Sequence, residues 1–268
     1  MEDRRQHLSS GLAARSLVNR DDLRETRGRY TPIVPDFTIV LLSGSVFDAG
    51  AAVLRPLFDT IAKARKTHRF GVSCGGGVRE RHTYRIGIDL GLPIGGLASI
   101  VGAVGEQNAL IAWSCLTDAG ALRMNKANLE MLPFVLDLGK LPVLVAYPPY
   151  HYWEYPNADS LIPMHGPDCG VFMLAETLAC KVILVKDVDG IHDADPNAHE
   201  GTKRIDRVTV AELRANGPKT LPIEPMALDI LSRARNLTHT HIISARRPDD
   251  LVTVLGGGDA GTRLERGE

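Results

Sequence analysis

The chain has 268 residues, 44% hydrophobic and 24% charged, which is material for a sizeable core in one large domain or two small lobes. Its 31 Lys and Arg nearly cancel its 32 Asp and Glu, so neither a basic excess for nucleic acid nor a charge run for a membrane surface is present. No apolar run approaches the ~20 residues of a membrane span, the amino terminus has no apolar signal region, and four scattered cysteines (Cys74, Cys115, Cys169, Cys180) without a C-x-x-C pair read as reduced thiols of a cytoplasmic protein.

Residues 1–35 are polar and Arg-rich and read as an extension; residues 36–268 form the domain. The body opens with a strand at Phe37–Leu42 that ends in Ser43-Gly44-Ser45. A helix from about Gly50 to Lys66 follows, with Val53, Leu54, Leu57, Phe58 and Ile61 at helical spacing. A second strand, Phe70–Ser73, runs into Cys74-Gly75-Gly76-Gly77, which opens a helix carrying Arg79, Arg81, His82 and Arg85. A long apolar helix spans about Leu97 to Gly120, and strands are expected near Leu132–Leu136 and Val143–Ala146. An aromatic-rich loop, Tyr147–Pro156, precedes a helix over Val171–Leu178. The remainder alternates: helices near Val208–Asn216 and Met226–Leu237, a strand at His241–Ser244, a helix near Pro248–Leu255 and a Gly-rich tail. Such alternation predicts an α/β protein, a three-layer α-β-α sandwich with a largely parallel central sheet.

The densest signal is Val182-Ile183-Leu184-Val185-Lys186-Asp187-Val188-Asp189-Gly190-Ile191-His192-Asp193-Ala194-Asp195-Pro196. Four apolar residues read as a strand buried on both faces, and the Asp-Gly and Asp-Pro steps force the chain out of the sheet. Polar residues just past the carboxyl end of a parallel strand sit where open α/β sheets bind ligands. A bare Asp-x-Asp-Gly is about as often an ordinary acidic surface turn.

Three further groups carry chemistry. The turns at Ser43, Gly44 and at Gly75, Gly76, Gly77 let backbone N–H groups approach phosphate oxygens, and a following helix start adds partial positive charge. Neither turn is a Walker A motif, and alone each is more often a tight turn than a ligand loop. Arg79 and Arg81 favour an anion there, since guanidinium matches phosphate or an oxometalate. Asp168 falls at an expected helix N-cap, a role worth roughly 1 kcal/mol. His151, Glu154 and His165 offer imidazole and carboxylate ligands to a metal, although their spacing fits no tetrahedral zinc motif.

The strand-and-turn segment resembles the nucleotide-binding segment of the amino-acid kinase superfamily, in its uridylate-kinase-like branch. Further stretches sharpen this: Gly77-Val78-Arg79-Glu80-Arg81-His82, Asp89-Leu90-Gly91-Leu92-Pro93, Gly105-Glu106-Gln107-Asn108, Pro148-Pro149-Tyr150-His151, Ile162-Pro163-x-His165 and the segment opened by Asp168-x-Gly170. Together, in order over about 37–262, they resemble the subunits of molybdenum storage proteins.

The resemblance implies an amino-acid kinase (carbamate kinase-like) fold and a hollow hexamer of this chain, or of it and a related second subunit. It implies ATP with Mg2+ at the kinase-like site and polyoxometalate clusters of molybdate or tungstate inside. Asp168 would organise the phosphates; Lys186, Asp187, Asp189, Gly190 and Asp195 fall in the nucleotide segment; His151 matches a cluster-binding histidine. Asp168 and Asp189 would position the magnesium. Two alternatives stay open: a uridylate-kinase-like phosphotransferase and a degenerate scaffold subunit. Family kinases carry a first-strand Lys in a Lys-x-Gly-Gly pattern, but here the strand reads Val40-Leu41-Leu42-Ser43-Gly44. His192 replaces the usual nucleoside-contacting aromatic, and Met131 and Val135 replace polar residues that accompany the cluster histidine.

Overall fold

In a computed structural model, residues 33–34, 36–146, 165–196 and 198–267 are described. The opening apolar run forms β1 (Thr38–Leu42), buried throughout. A short helix, α1 (Gly44–Asp48), and the amphipathic α2 (Ala51–Ala64) lead to β2 (Phe70–Cys74). Helix α2 turns Val53, Leu57, Phe58 and Ile61 inward, the three-and-four spacing of one helix face. Helices α3 (Val78–Asp89) and α4 (Ile94–Leu116) pack together and are followed by β3 (Ala121–Arg123), α5 (Leu132–Asp137) and β4 (Leu141–Val145). Then come α6 (Pro167–Leu178) and β5 (Lys181–Lys186). The chain closes with β6 (Arg207–Thr209), α7 (Val210–Asn216), α8 (Pro225–Arg233), β7 (His239–Ser244), α9 (Asp249–Leu255) and β8 (Thr262–Glu265).

The strands form one sheet in the order β3-β4-β2-β1-β5-β7-β8-β6. All pairs are parallel except β7 with β8. Alternation along β1 feeds two cores: Ile39 and Leu41 join one, with Phe172 and Leu231; Val40 and Leu42 join the other, with Leu57 and Ile61. This is the expected three-layer sandwich. Strand order reverses at β1, whose neighbours are β2 on one side and β5 on the other. Their carboxyl ends, Leu42, Cys74 and Lys186, therefore open the crevice at which such sheets bind ligands.

Several expected elements differ. Leu132–Leu136 is helical, not a strand: Pro133 suits a first helical turn, and the buried Leu132, Val135 and Leu136 recur at three-and-four spacing. Val135 lies in the core while Met131 is exposed. The long helix stops at Leu116, leaving Ala121–Arg123 free to pair with β4. Before α7 a short strand forms, and the helix starts where Thr209 and Glu212 make a capping box. The Gly-rich tail contains β8. Contrary to the expectation from run length, the segment Ile94–Ala119 is long and apolar enough to cross a membrane. Its Leu97, Val101, Ala109 and Leu116 are buried, and it packs on β2, β3 and β4, as a core helix does. Val34, assigned above to the extension, is already buried in the core; residues 1–32 and 35 lie outside the described residues.

Candidate functional site

Two glycine turns form the lip of a cleft of about 340 Å3. Gly44, just past β1, packs backbone to backbone on Gly77, just past β2. A Cβ on Gly44 would lie 1.7 Å from Gly77 N, and Gly77 has φ +81°, so both positions require glycine. Asn108, fully buried on α4, fixes the second turn from beneath: its Nδ2 donates to Gly75 O at 2.6 Å and Gly76 O at 3.1 Å. Arg79 donates to Gln107 Oε1 at 3.0 Å and to Asn108 Oδ1. Its guanidinium thus braces the loop and does not line the cleft, which corrects its expected role; Arg81 and Tyr84 line it instead. Gly75 likewise sits beneath, its N–H bonded to Leu42 O at 3.0 Å.

The floor is an ion pair. Lys186 Nζ, at the end of β5, lies 2.7 Å from Asp168 Oδ1 and 2.9 Å from Oδ2, with side-chain exposures of 10% and 3%. Asp168 is in the first turn of α6, not at its N-cap; Gly166 holds that position, because Pro167 occupies the first helical turn. Residue Glu224, which sequence reasoning missed, completes the floor. Its Oε2 accepts from Gly166 N (3.1 Å) and Cys169 N (3.3 Å), and its Oε1 from Asp168 N (3.2 Å). In return Glu224 N donates to Asp168 Oδ2 at 3.1 Å. Part of the residue reaches the surface, but its carboxyl end is enclosed. Burial, then the negative charge of Asp168, push this carboxyl up to about 7, against the lowering pull of the Cys169 hydrogen bond and of Lys186. Nothing in the local sequence Ile223-Glu224-Pro225 signals this contact, which spans 56 residues.

A neighbouring pocket of about 130 Å3 shares Leu221 and Pro222 with the cleft and is lined by Asp187, Gly190, His192 and Asp195. Ser45 Oγ, on the cleft side, donates to Asp187 Oδ1 at 3.0 Å and joins the two spaces. His192 has both ring nitrogens engaged, one with Asp189 Oδ1 at 2.6 Å and the other with Thr202 Oγ1 at 2.9 Å. Asp189 also faces Arg247 (3.2 Å) and Arg204 (3.6 Å). Partial burial alone would raise its carboxyl; the His192 hydrogen bond and these charges outweigh it and hold Asp189 below the usual range. Asp189 is therefore the anchor of the turn.

The structure gathers Ser43, Gly44, Gly76, Gly77, Asp168 and Lys186 in the cleft, and Asp187, Gly190 and Asp195 beside it. Ser43 lines the cleft, and its Oγ is buried with no hydrogen-bond partner among the described residues. His151 and Glu154 lie outside the described residues. His165 precedes α6, and no group of three His, Cys, Asp or Glu able to hold a metal occurs among the described residues. Magnesium needs oxygen ligands, yet Asp168 is committed to Lys186 and Asp189 to His192 and two arginines. These two do not fit as magnesium ligands, which corrects that expectation. The positive charge comes from β5 and α3: β1 supplies none, its residues Thr38–Leu42 being uncharged.

The model of the amino acid kinase family matches residues 36–244. Molybdenum storage protein subunit beta of Azotobacter vinelandii is 36% identical over 232 residues, 86% of each chain. Uridylate kinase of Methanocaldococcus jannaschii is 25% identical over 82% of this chain and 98% of its own. Among solved structures, uridylate kinase from Archaeoglobus fulgidus superposes with a TM-score of 0.66 at 22% identity, covering 85% of this chain and 99% of that one. UMP kinase from Bacillus anthracis gives 0.66 at 15% identity, covering 87% and 97%. Both establish the shared fold.

Proposed function

The chain belongs to the amino acid kinase family, and from that premise we propose that it is an ATP-binding subunit of an oligomeric store for molybdate or tungstate. The identity with a molybdenum storage subunit over 86% of both chains supports the storage reading. The single observation that carries the nucleotide part is the cleft floor: a buried ammonium, Lys186, delivered beside two glycine turns and an unpaired Ser43 Oγ. In this reading the phosphates lie along Gly44, Gly76 and Gly77, within reach of Arg81 and Lys186. The nucleoside enters the pocket at Gly190 and His192. With both nitrogens engaged, the His192 ring offers its face to the base.

Magnesium, arriving on the nucleotide, would offset phosphate charge; the residues described build no cage for it. Oxometalate anions are the cargo. His151, with Glu154 and His165, anchors a cluster through a neutral imidazole nitrogen, an anchorage that weakens when His151 protonates below pH ~6.5. The assembly is a hexamer of this chain, or of it and a related subunit, in the cytoplasm.

The alternative of a nucleoside-monophosphate kinase draws on the same Lys186. Against it, that ammonium is paired with Asp168 and feels the nearby Glu224 carboxyl, and no first-strand lysine adds charge where phosphoryl transfer needs it. A scaffold subunit is the remaining alternative. Metal content by plasma mass spectrometry, on protein from cells grown with molybdate and tungstate, tests the proposal. Many metal atoms per chain are expected. Metal-free protein that phosphorylates UMP from ATP would refute storage in favour of the kinase, and metal-free inactive protein would leave the scaffold.

A further inference from the structure

We propose that Glu224 is a specificity-determining residue: it fills the anion cradle at the start of α6 with the protein's own carboxylate, so the cleft takes the phosphates of one nucleotide and refuses a second anion there. The inference rests on reading this cleft as a phosphate site.

The amino end of a twelve-residue helix concentrates N–H donors and the positive end of the dipole, and anions settle on it. Here three of those donors, on Gly166, Asp168 and Cys169, are already taken by Glu224 at 3.1–3.3 Å. The carboxylate arrives from the start of α8 and is held there by the return bond from Glu224 N to Asp168. The approach is close: a Cβ on Gly166 would lie 2.4 Å from Glu224 Oε1.

The start of α3, capped by Gly77, has one such contact. Val78 N, the first amide of α3, donates to Asp48 Oδ2 at 2.8 Å. Three amides at the start of α6 and one at the start of α3 are thus taken by internal carboxylates, while Lys186, Arg81 and the glycine turns remain along the cleft wall. The charged groups facing Glu224 are Asp168 and Lys186, with Glu80 and Arg81 lining the same cleft and the Cys169 thiol beside it. Two carboxylates against one ammonium leave the α6 end of the floor unfavourable to a second phosphate. Transfer between two phosphorylated substrates needs two such anions side by side; a site that holds one nucleotide needs only one.

Calorimetric titration of the full chain with inorganic phosphate tests this, comparing wild type with Glu224→Ala and with Glu224→Gln, which keeps the side-chain volume. Measured above pH about 7, where the Glu224 carboxyl is ionised, Glu224→Ala removes the charge and empties the cradle and should tighten phosphate binding on the order of tenfold or more, while Glu224→Gln removes the charge alone and should tighten it less. Adding Gly166→Ala to Glu224→Ala should cancel the gain, because the new methyl fills the vacated space. A purely structural role predicts no gain, so unchanged or weaker phosphate binding in both single variants overturns the proposal. Mg-ATP titration of the wild type is a separate arm: its failure removes the nucleotide reading, while the phosphate comparison still decides the role of Glu224.

Discussion

Replacing Lys186 by methionine removes the ammonium of the cleft floor while preserving most of its apolar volume. Asp168, 3% exposed, then loses a partner at 2.7 and 2.9 Å, and Glu224 loses the charge that opposes its own burial. Breaking a buried pair by deleting one partner costs about 3–5 kcal/mol. For a chain of this size each kcal/mol lowers Tm by about 2–4 °C, so K186M should melt roughly 6–20 °C below wild type. The double variant K186M/D168L should recover part of the loss, since no carboxylate is then left unpaired at Asp168. Thermal unfolding by circular dichroism, run as a double-mutant cycle at one pH, measures both numbers. A fall of no more than about 3 °C, the scale of an exposed pair, with additive single effects, would refute the account of the floor as a buried, coupled unit.

Other outcomes follow from the same geometry. Glu224 has its carboxyl raised to about 7 from 4.5; its contribution to stability is therefore complete below pH about 4.5 and is lost as pH rises through about 7. Wild type should lose Tm relative to Glu224→Gln across that window, and parallel Tm curves would contradict the shift. Asn108→Leu leaves the carbonyls of Gly75 and Gly76 and the Arg79 guanidinium without their partner. It should cost about 2–3 kcal/mol and weaken Mg-ATP binding by calorimetry, although Asn108 does not line the cleft. Gly44→Ala places a methyl 1.7 Å from Gly77 N and should abolish folded yield, judged by soluble expression and far-UV circular dichroism.

Much of this was legible because it is local. An apolar run is buried wherever it lands in a sheet, so β1, β2 and β5 could be read from their residues. The helical face of α2 is written in its spacing, and glycines at the ends of two strands announce turns. Leu132–Leu136 was misread because a five-residue apolar run has no period of its own; Pro133 and the packing of Val135 made it a helix. Strand β8 was missed because Thr262–Glu265 acquires its conformation from pairing with β7 and β6.

The chemistry divides along the same line. Sequence alone determined the fold class, the glycine turns, the acidic turn after β5 and the absence of a first-strand lysine. Each is a statement about neighbouring residues, or about a pattern the chain carries wherever it goes. Only the tertiary structure decided which charges face the cleft. Arg79, promising in the sequence, is turned beneath the loop to Asn108, and Asp189 is consumed by His192, Arg204 and Arg247. Glu224 becomes the partner of a helix 56 residues earlier because the packing of α8 against α6 carries it there. A side chain's charge is fixed by its identity, but its direction is set by what remains to be satisfied once the core has packed.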